Sequence, residues 1–213
     1  MKIGVIFDMD GTLLNTLEDL TDAVNVALAR YGHPTRSLEE MRHFVGNGAA
    51  NMIRKAAPEG AEQKPLMDAF LDWYIPHCQD KTRPYDGIME AIEELKKDYP
   101  LAVVSNKPDY ALRYMCQAIF PGVNGIGQKE GIPRKPAPDM VYQAMAQLGV
   151  DKCIYIGDSD VDLATANNAG VPCISVLWGF RTRQELEEAG ATIFCETPAD
   201  LKELVDRLAA SLS

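Results

Sequence analysis

The sequence is short of paired cysteines, of positive charge and of long apolar runs, and each shortage excludes a class of protein. Its five cysteines are scattered and form no CxxC pair, which argues against a disulfide framework and favours reduced thiols. No apolar stretch approaches the roughly 18 residues of a membrane-spanning helix, so we expect no membrane partner. The apolar run before Asp8 is also too short for a signal peptide, and we therefore expect a cytoplasmic protein.

Basic residues are outnumbered by acidic residues, 21 against 31, which gives a formal net charge of −10. Because nucleic-acid-binding proteins usually carry a basic patch, we expect no nucleic-acid partner. Excess acid favours solubility, and an anionic ligand would need locally placed cations. Apolar residues make up 46% of the chain, which is ordinary for a globular protein and argues against a disordered or fibrous one.

The order of predicted elements indicates an α/β fold with a helical insertion. Ile3–Phe7 is a short run rich in β-branched residues and predicts a buried strand. The apolar spacing is then helical as far as Arg83, and from Ile88 onwards helices and strands alternate. Such alternation predicts a Rossmann-like parallel sheet with helices on both faces. The predicted domains are an α/β core at residues 1–15 and 84–213 and an all-helical cap at residues 16–83.

Two pairs of residues in the insertion have the spacing of capping boxes, in which two side chains satisfy each other's backbone N–H groups at a helix N-terminus. Thr16 with Asp19 predicts one such box, and Ser37 with Glu40 predicts another. Both pairs precede a helically spaced apolar run, so we expect helices to begin at these points.

Polar residues follow three of the predicted strands, where open α/β sheets bind their ligands. The three segments are Asp8–Asp10 after the first strand, Ser105–Asn106 after Leu101–Val104, and Asp158–Asp162 after Cys153–Ile156. Any one of them alone is compatible with a turn or a helix cap. Because parallel strands end at one edge of a sheet, together they predict a shared site.

Four motifs occur along the chain in a specific order. They are Asp8-Met-Asp10-Gly11-Thr12, Ser105-Asn106, Lys135-Pro136 and Gly157-Asp158-Ser-Asp-Val-Asp162. In this order they resemble the motifs of the haloacid dehalogenase-like hydrolase superfamily, and the insertion after the first motif resembles a type I cap. Val45–Gly48 and Trp178–Arg181 are similar to the phosphoglycolate phosphatase branch, although Asp86 stands where that branch more often has proline.

The resemblance implies catalytic roles for four residues. Asp8 would be the nucleophile that accepts the phosphoryl group, and Asp10 would protonate the leaving oxygen and then activate water. Ser105 would hold phosphoryl oxygens, and Lys135 would neutralise the charge that develops during transfer. The substrate-binding residues implied by the motifs and the cap are Gly11, Thr12, Asn106, Gly46, Asn47 and Gly48.

The resemblance also implies a metal site. Asp8, Asp158 and the Asp10 carbonyl would bind a hard cation, and an all-oxygen ligand set of this kind favours Mg²⁺. Asp162 would orient Lys135 or a metal-bound water. Asp160 is expected at the surface.

Two further segments allow alternative interpretations. Gly46-Asn47-Gly48 precedes a predicted helix, whose N-terminal N–H groups could bind the far end of a substrate. The same loop is also compatible with a plain helix–helix connection. Trp178 and Phe180 would either line the mouth of the site or pack in the core.

The implied activity is Mg²⁺-dependent hydrolysis of a phosphate monoester through an aspartyl phosphate. The partner would be a small phosphorylated metabolite, with phosphoglycolate the first candidate, and the protein would be a monomer or a homodimer. The alternatives are a phosphosugar mutase, a phosphatase acting on sugar phosphates, nucleotides or pyrophosphate, and a non-catalytic regulatory or binding protein. A dehalogenase typically lacks the second aspartate, so Asp10 argues against that activity.

Overall fold

The computed structural model describes residues 2–212, which form eight strands and ten α-helices. The strands are β1 (Ile3–Phe7), β2 (Leu14–Asn15), β3 (Arg83–Pro84), β4 (Leu101–Pro108), β5 (Asn124–Gln128), β6 (Lys152–Gly157), β7 (Cys173–Val176) and β8 (Phe194–Cys195). The helices are α1 (Leu17–Arg30), α2 (Leu38–Phe44), α3 (Ala49–Ala56), α4 (Gln63–His77), α5 (Ile88–Lys96), α6 (Asp109–Ile119), α7 (Asp139–Leu148), α8 (Asp160–Ala169), α9 (Arg183–Glu188) and α10 (Leu201–Leu212). A 3₁₀ turn at Pro198–Asp200 precedes α10.

Six of the strands form one parallel sheet in the order β5-β4-β1-β6-β7-β8. The first strand of the chain lies inside the sheet, where Val5 pairs with Leu101 on one side and with Ile154 on the other. Val5 and Phe7 pack into the core on one face of the sheet, and Ile6 packs into the core on the other face. The prediction of a parallel sheet buried on both faces is confirmed.

The helices of the insertion, α1 to α4, pack around an apolar core of their own. This core includes Leu28, Met41, Ile53 and Phe70, and it also takes in Phe180, which comes from the segment after β7. The helical character predicted for this part of the chain is therefore present. That residues 16–83 form a separate domain, which moves relative to the core, stays a prediction.

The two connections between the insertion and the sheet lie side by side. Leu14 in β2 is paired antiparallel with Pro84 in β3, and the Tyr85 N–H donates to the Leu13 carbonyl at 3.2 Å. Asp19, which is fully buried, accepts hydrogen bonds from the N–H groups of Lys81 and Thr82 at 2.8–3.1 Å. The chain thus leaves and re-enters the core at a single place.

One of the two predicted capping boxes is present and the other is wrong. Glu40 N–H donates to Ser37 Oγ, and Ser37 N–H donates to the Glu40 carboxylate at 2.8 Å, as predicted. In the part of the chain that the structure describes, Thr16 makes no side-chain capping bond at the start of α1. The reason is that the Asp19 carboxylate accepts hydrogen bonds from the N–H groups of Lys81 and Thr82 instead of from the N-terminus of its own helix.

None of the helices within residues 2–212 has the length and apolar character needed to cross a membrane. All five cysteines lie within this range, and all are buried and free of disulfide bonds. Burial raises the pKa of the thiols of Cys116, Cys153, Cys173 and Cys195 to about 12, so these groups stay neutral.

Candidate active site

The three polar segments meet at the carboxyl edge of the sheet. Asp8 directly follows β1, Ser105 lies near the end of β4, and Asp158 directly follows β6. Because β4, β1 and β6 are adjacent and parallel, their ends bring these side chains to one place. All three side chains are buried, with Asp8 5% and Asp158 1% exposed.

Lys135 links two of the carboxylates. Its Nζ lies 2.8 Å from Asp8 Oδ1 and 2.7 Å from Asp162 Oδ1, and it also donates to the Tyr155 hydroxyl at 3.1 Å. Burial disfavours the charged ammonium, but the Asp162 and Asp8 carboxylates outweigh it and hold the pKa of Lys135 well above its usual value. The ammonium is therefore a permanent positive charge against Asp8.

Asp162 is fixed in place by bonds to both of its oxygens. Oδ1 pairs with Lys135 and accepts from the Tyr155 hydroxyl, and Oδ2 accepts from the backbone N–H and the hydroxyl of Ser159 in a capping box at the start of α8. This arrangement suits a residue that orients Lys135. Tyr155 was missed from the sequence, because it lies in an otherwise apolar strand with no motif around it.

Asp158 is held by neighbours that approach very closely. Its Oδ1 accepts from Thr12 Oγ1 at 3.2 Å, and its Oδ2 accepts from the Phe180 N–H at 2.7 Å. A Cβ atom at Gly11 or Gly179 would overlap the Asp158 carboxylate, so both positions need glycine. The Thr12 hydroxyl therefore faces Asp158, although the motif had indicated a contact with substrate.

The carboxylates carry more negative charge than the lysines around them can balance. Four carboxylates (Asp8, Asp10, Asp158 and Asp162) face the ammonium groups of Lys107 and Lys135. Burial, reinforced by Asp162, holds the pKa of Asp8 well above its usual value although Lys135 opposes the shift, and burial raises the pKa of Asp158 to about 7. The excess of two negative charges matches a divalent cation.

The donor set fits a hard cation such as Mg²⁺. One oxygen each from Asp8, Asp158 and Asp162 lies within 4.8 Å of the others. Asp8 Oδ1 is buried and receives no hydrogen bond from any described residue, although it is ion-paired with Lys135. Each Asp162 oxygen already accepts two hydrogen bonds, whereas each Asp158 oxygen accepts one. Asp8 and Asp158 are therefore the better candidates for direct ligands.

Asp10 forms a second ion pair, which the sequence had not indicated. Asp10 Oδ1 lies 2.9 Å from Lys107 Nζ, and Asp10 Oδ2 accepts from Ser105 Oγ at 3.4 Å. Lys107 Nζ also donates to the hydroxyl of Tyr74, on α4 of the insertion, at 2.7 Å. The core and the helical insertion therefore meet at Asp10.

Lys107 was missed because the strand was predicted to end at Val104, before the polar run Ser105-Asn106-Lys107. In the structure β4 continues to Pro108, and all three of these polar side chains are buried. Alternation along a strand places residues 105 and 107 on the same side. The two-residue spacing of Ser105 and Lys107 was the available signal. Using it would have required a predicted strand that continues through polar residues.

A small cavity, with about 50 Å³ of space for the centre of a water molecule, lies between the insertion and the sheet. Asp8, Asp10, Ser105 and Asn106 line its floor together with Lys107, and Gly46 and Gly48 line the opposite side. Asn47, although within the described residues, is not part of the lining. The remaining walls are mostly apolar, with Leu20, Val45, Met52, Phe70 and Leu71 among them.

Asn106 connects the loop at Gly46 in the insertion to the segment that carries Lys135. Its Nδ2 donates to the Gly46 carbonyl at 3.2 Å and to the Lys135 carbonyl at 3.1 Å, and its Oδ1 accepts from the Lys135 N–H at 2.8 Å. The side chain thus holds two loops together, although the motif had indicated a contact with substrate. Gly48 caps α3 with a φ of 79°, a conformation that glycine adopts without strain.

Trp178 and Phe180 both pack, rather than line the mouth of the site. Trp178 Nε1 donates to the Thr12 carbonyl at 2.9 Å, and Phe180 is buried in the core of the insertion. Two arginines beside them form hydrogen bonds between the insertion and this segment. Arg42 donates to the carbonyls of residues 179 and 180, and Arg181 donates to the carbonyls of residues 42 and 45. These bonds join the insertion to the segment that holds Asp158. Asp160 is exposed, as predicted.

Several proteins of known identity resemble the chain over nearly its whole length. A phosphoglycolate phosphatase of Mesorhizobium japonicum is 32% identical, covering 96% of this chain and 95% of that protein. An N-acetylmuramic acid 6-phosphate phosphatase of Pseudomonas aeruginosa is 30% identical with the same coverage of 96% and 95%. A crystal structure of a candidate phosphoglycolate phosphatase from Lactobacillus delbrueckii is 36% identical, with a TM-score of 0.84, and covers 95% of this chain and 97% of that one.

The sequence profile of one family covers most of the chain. The profile of haloacid dehalogenase-like hydrolases matches residues 5–176, a range that includes the end of β1, the insertion and the segment with Asp158. Together with the full-length relatives, and in agreement with the four motifs and the parallel sheet, this match shows that the chain belongs to the haloacid dehalogenase-like hydrolase family.

Proposed function

We propose that the chain is a Mg²⁺-dependent phosphatase that hydrolyses phosphoglycolate through an aspartyl phosphate on Asp8. The observation that carries the proposal is a pair of carboxylates, Asp8 and Asp10, at the floor of one cavity and each ion-paired with its own buried lysine. The names of the relatives support phosphoglycolate as the substrate. Mostly apolar walls with a few polar groups at one end are also typical of sites for small molecules.

In the proposed first step, an Asp8 oxygen attacks phosphorus and the bond from phosphorus to the ester oxygen breaks. Asp10 donates a proton to that oxygen, so glycolate leaves as the alcohol. In the second step Asp10 removes a proton from a water molecule, which attacks phosphorus and releases inorganic phosphate from Asp8. Lys135, at 2.8 Å from Asp8, stabilises the negative charge that develops on the transferred group.

The proposed metal ligands are the Asp8 and Asp158 carboxylates and the Asp10 carbonyl, with Asp162 orienting Lys135. When bound, Mg²⁺ supplies positive charge to the phosphoryl oxygens and to the buried carboxylates. Ser105 and the backbone amides near Gly11 and Asn106 are the proposed contacts of the phosphoryl group. The loop Gly46-Asn47-Gly48 remains the proposed contact on the side of the insertion, which would close over the bound substrate.

A phosphatase panel tests the proposal directly. We expect phosphate release from phosphoglycolate in the presence of Mg²⁺ and its loss in the presence of a chelator. The panel also contains ethyl phosphate, a hexose phosphate, N-acetylmuramic acid 6-phosphate, a nucleotide and pyrophosphate. A requirement for a phosphosugar activator would indicate a mutase instead, and an absence of turnover on every ester would indicate a binding or regulatory protein.

The raised pKa values of the metal-site carboxylates predict how stability depends on pH. The pKa of Asp158 is about 7 in the folded chain and about 4 when unfolded, so the metal-free folded state binds more protons between these values. Metal-free stability should therefore decrease as the pH rises through about 7. We expect the melting temperature in EDTA to be lower at pH 8 than at pH 6, and Mg²⁺ to restore it at pH 8.

The matched variant for this experiment is Asp158→Asn, which keeps the shape of the side chain and removes its charge. Without Mg²⁺ it should melt above the wild type at pH 8, because the excess negative charge is reduced. It should also respond weakly to Mg²⁺ in the same thermal scan. If Mg²⁺ stabilises Asp158→Asn as much as the wild type, Asp158 is not a ligand.

A further inference from the structure

The apolar cavity contains one positive charge that the proposed phosphoryl chemistry does not use. Among residues 2–212, Lys107 is the only lysine or arginine that lines this cavity. It is 6% exposed, and the apolar side chains of Met52 and Phe70 belong to the same lining. The Asp10 carboxylate at 2.9 Å offsets the cost of burying this cation, and a ligand oxygen would complete the hydrogen bonds of the ammonium.

The Lys107 ammonium has one more N–H donor than it has partners among the described residues. An ammonium group has three N–H donors, and its two neighbours in the structure are the Asp10 carboxylate at 2.9 Å and the Tyr74 hydroxyl at 2.7 Å. Burial disfavours the ammonium, but Asp10 and Tyr74 together raise the pKa of Lys107 above its usual value. The ammonium therefore stays charged beside Asp10, and its third N–H is available to a ligand.

We infer that Lys107 binds the carboxylate of the substrate, so that the site selects short phosphate esters with a carboxylate next to the ester carbon. This inference rests on the proposed function and adds the group that recognises the non-reacting end of the substrate. Tyr74 is then a positioning residue, since its hydroxyl holds the ammonium in place from the side of the insertion.

The distances in the site agree with this class of substrate. As a general acid, Asp10 must lie about 2.6–3.2 Å from the ester oxygen. Lys107 Nζ lies 2.9 Å from Asp10 Oδ1, so it lies at most about 6 Å from an ester oxygen bonded to Oδ1 and at most about 8 Å from one bonded to Oδ2. In phosphoglycolate the carboxylate oxygens lie about 3 Å from the ester oxygen, and a charge-assisted bond adds about 2.8 Å. The sum of these two distances, about 6 Å, lies within the reach of Lys107.

The charge of the cavity favours a carboxylate over a second phosphate. A carboxylate has one negative charge and two oxygens, which one ammonium can satisfy. A second phosphate would bring up to two negative charges next to Asp10 and Asp8, and no second cation lines the cavity within the described residues. Hexose phosphates place their distal groups well beyond the reach of Lys107.

The experiment compares two esters that share one skeleton, phosphoglycolate and ethyl phosphate, where a methyl group replaces the carboxylate. For each enzyme the measured quantity is the ratio of kcat/KM for phosphoglycolate to that for ethyl phosphate. Lys107→Met should reduce this ratio about 10- to 100-fold, the range expected for a hydrogen bond to a charged group, chiefly through the KM for phosphoglycolate. Lys107→Arg should recover part of it.

A matched control separates this effect from a general loss of charge. Lys64, on the surface of α4, is ion-paired with Asp68 and its side chain is 85% exposed, so Lys64→Met should leave the ratio unchanged. If Lys107→Met lowers kcat/KM equally for both esters, Lys107 serves only to hold Asp10, and the inference is overturned.

A binding measurement keeps the inference independent of turnover. Calorimetry on Asp8→Asn, with and without Lys107→Met, gives the affinities for phosphoglycolate and ethyl phosphate when neither is hydrolysed. We expect the preference for phosphoglycolate to be lost in the double variant, and Tyr74→Phe provides a milder change if Lys107→Met does not fold. A preference that persists without Lys107 overturns the inference, whereas binding without turnover in the wild type overturns only the proposed function.

Discussion

Replacing Asp8 with asparagine is expected to abolish turnover while the protein stays folded. Asparagine has nearly the same size and shape as aspartate but lacks the charge that attacks phosphorus. Burial already opposes ionisation of Asp8, so removal of the charge relieves a cost, and Lys135 keeps its bond to Asp162 at 2.7 Å. The measurements are kcat with phosphoglycolate and the melting temperature.

Two results would decide whether Asp8 is the nucleophile. If Asp8→Asn retains more than about one hundredth of the wild-type kcat, a barrier change of roughly 2.7 kcal/mol or less, covalent catalysis by Asp8 is wrong. Mass spectrometry after an acid quench should find one added phosphoryl group on the wild type and none on the variant. Asp160→Asn is the matched control, because Asp160 belongs to the same sequence motif as Asp158 and Asp162 but its side chain is 56% exposed. The activity of this variant should be close to that of the wild type.

Asp10→Asn is expected to reduce kcat by roughly 10²- to 10⁴-fold while Mg²⁺ affinity changes little. Asparagine cannot exchange the proton, but the backbone carbonyl at residue 10 remains available to the metal. Calorimetric titration with Mg²⁺ tests the second part. Loss of Mg²⁺ binding would make the Asp10 side chain a ligand and would contradict the role proposed for it.

A reactive ester separates the two proton transfers assigned to Asp10. p-Nitrophenyl phosphate has a leaving group that needs no proton, so the first step should survive Asp10→Asn while the second step remains slow. We expect a burst of p-nitrophenolate close to one equivalent of enzyme, followed by a slow steady state. Equal slowing of both phases would show that Asp10 acts on the geometry of the site rather than on proton transfer.

The sheet and the meeting of the motifs could be predicted because their signals are local. The apolar run at Ile3–Phe7 predicts its own strand. Asp8 and Asp158 each follow a strand, and Ser105 lies within β4, whose neighbours are set by the parallel topology. Strand ends converge by geometry alone, so no knowledge of side-chain packing was needed.

The missed features depend on contacts between distant parts of the chain. Asp19 has the spacing of a capping box with Thr16, but residues 81 and 82 offer its carboxylate backbone donors that no local pattern shows. Lys107 lies beyond the predicted strand end, and its partner Tyr74 is 33 residues away on another element. For Phe180 the sequence left two positions open, and its burial in the core of the insertion also depends on such a distant contact.

The position of β1 inside the sheet has a consequence for how the chain folds. Both partners of Val5 lie far along the chain, at Leu101 and Ile154, so β1 is synthesised long before either neighbouring strand exists. Contacts between residues so distant in sequence form slowly, because a long loop must close first. The helices α1 to α4 have nearer partners, and we expect them to assemble early. Until β4 and β6 have been synthesised, both edges of the apolar strand β1 are unpaired. We therefore expect β1 to be the segment most prone to aggregation during synthesis.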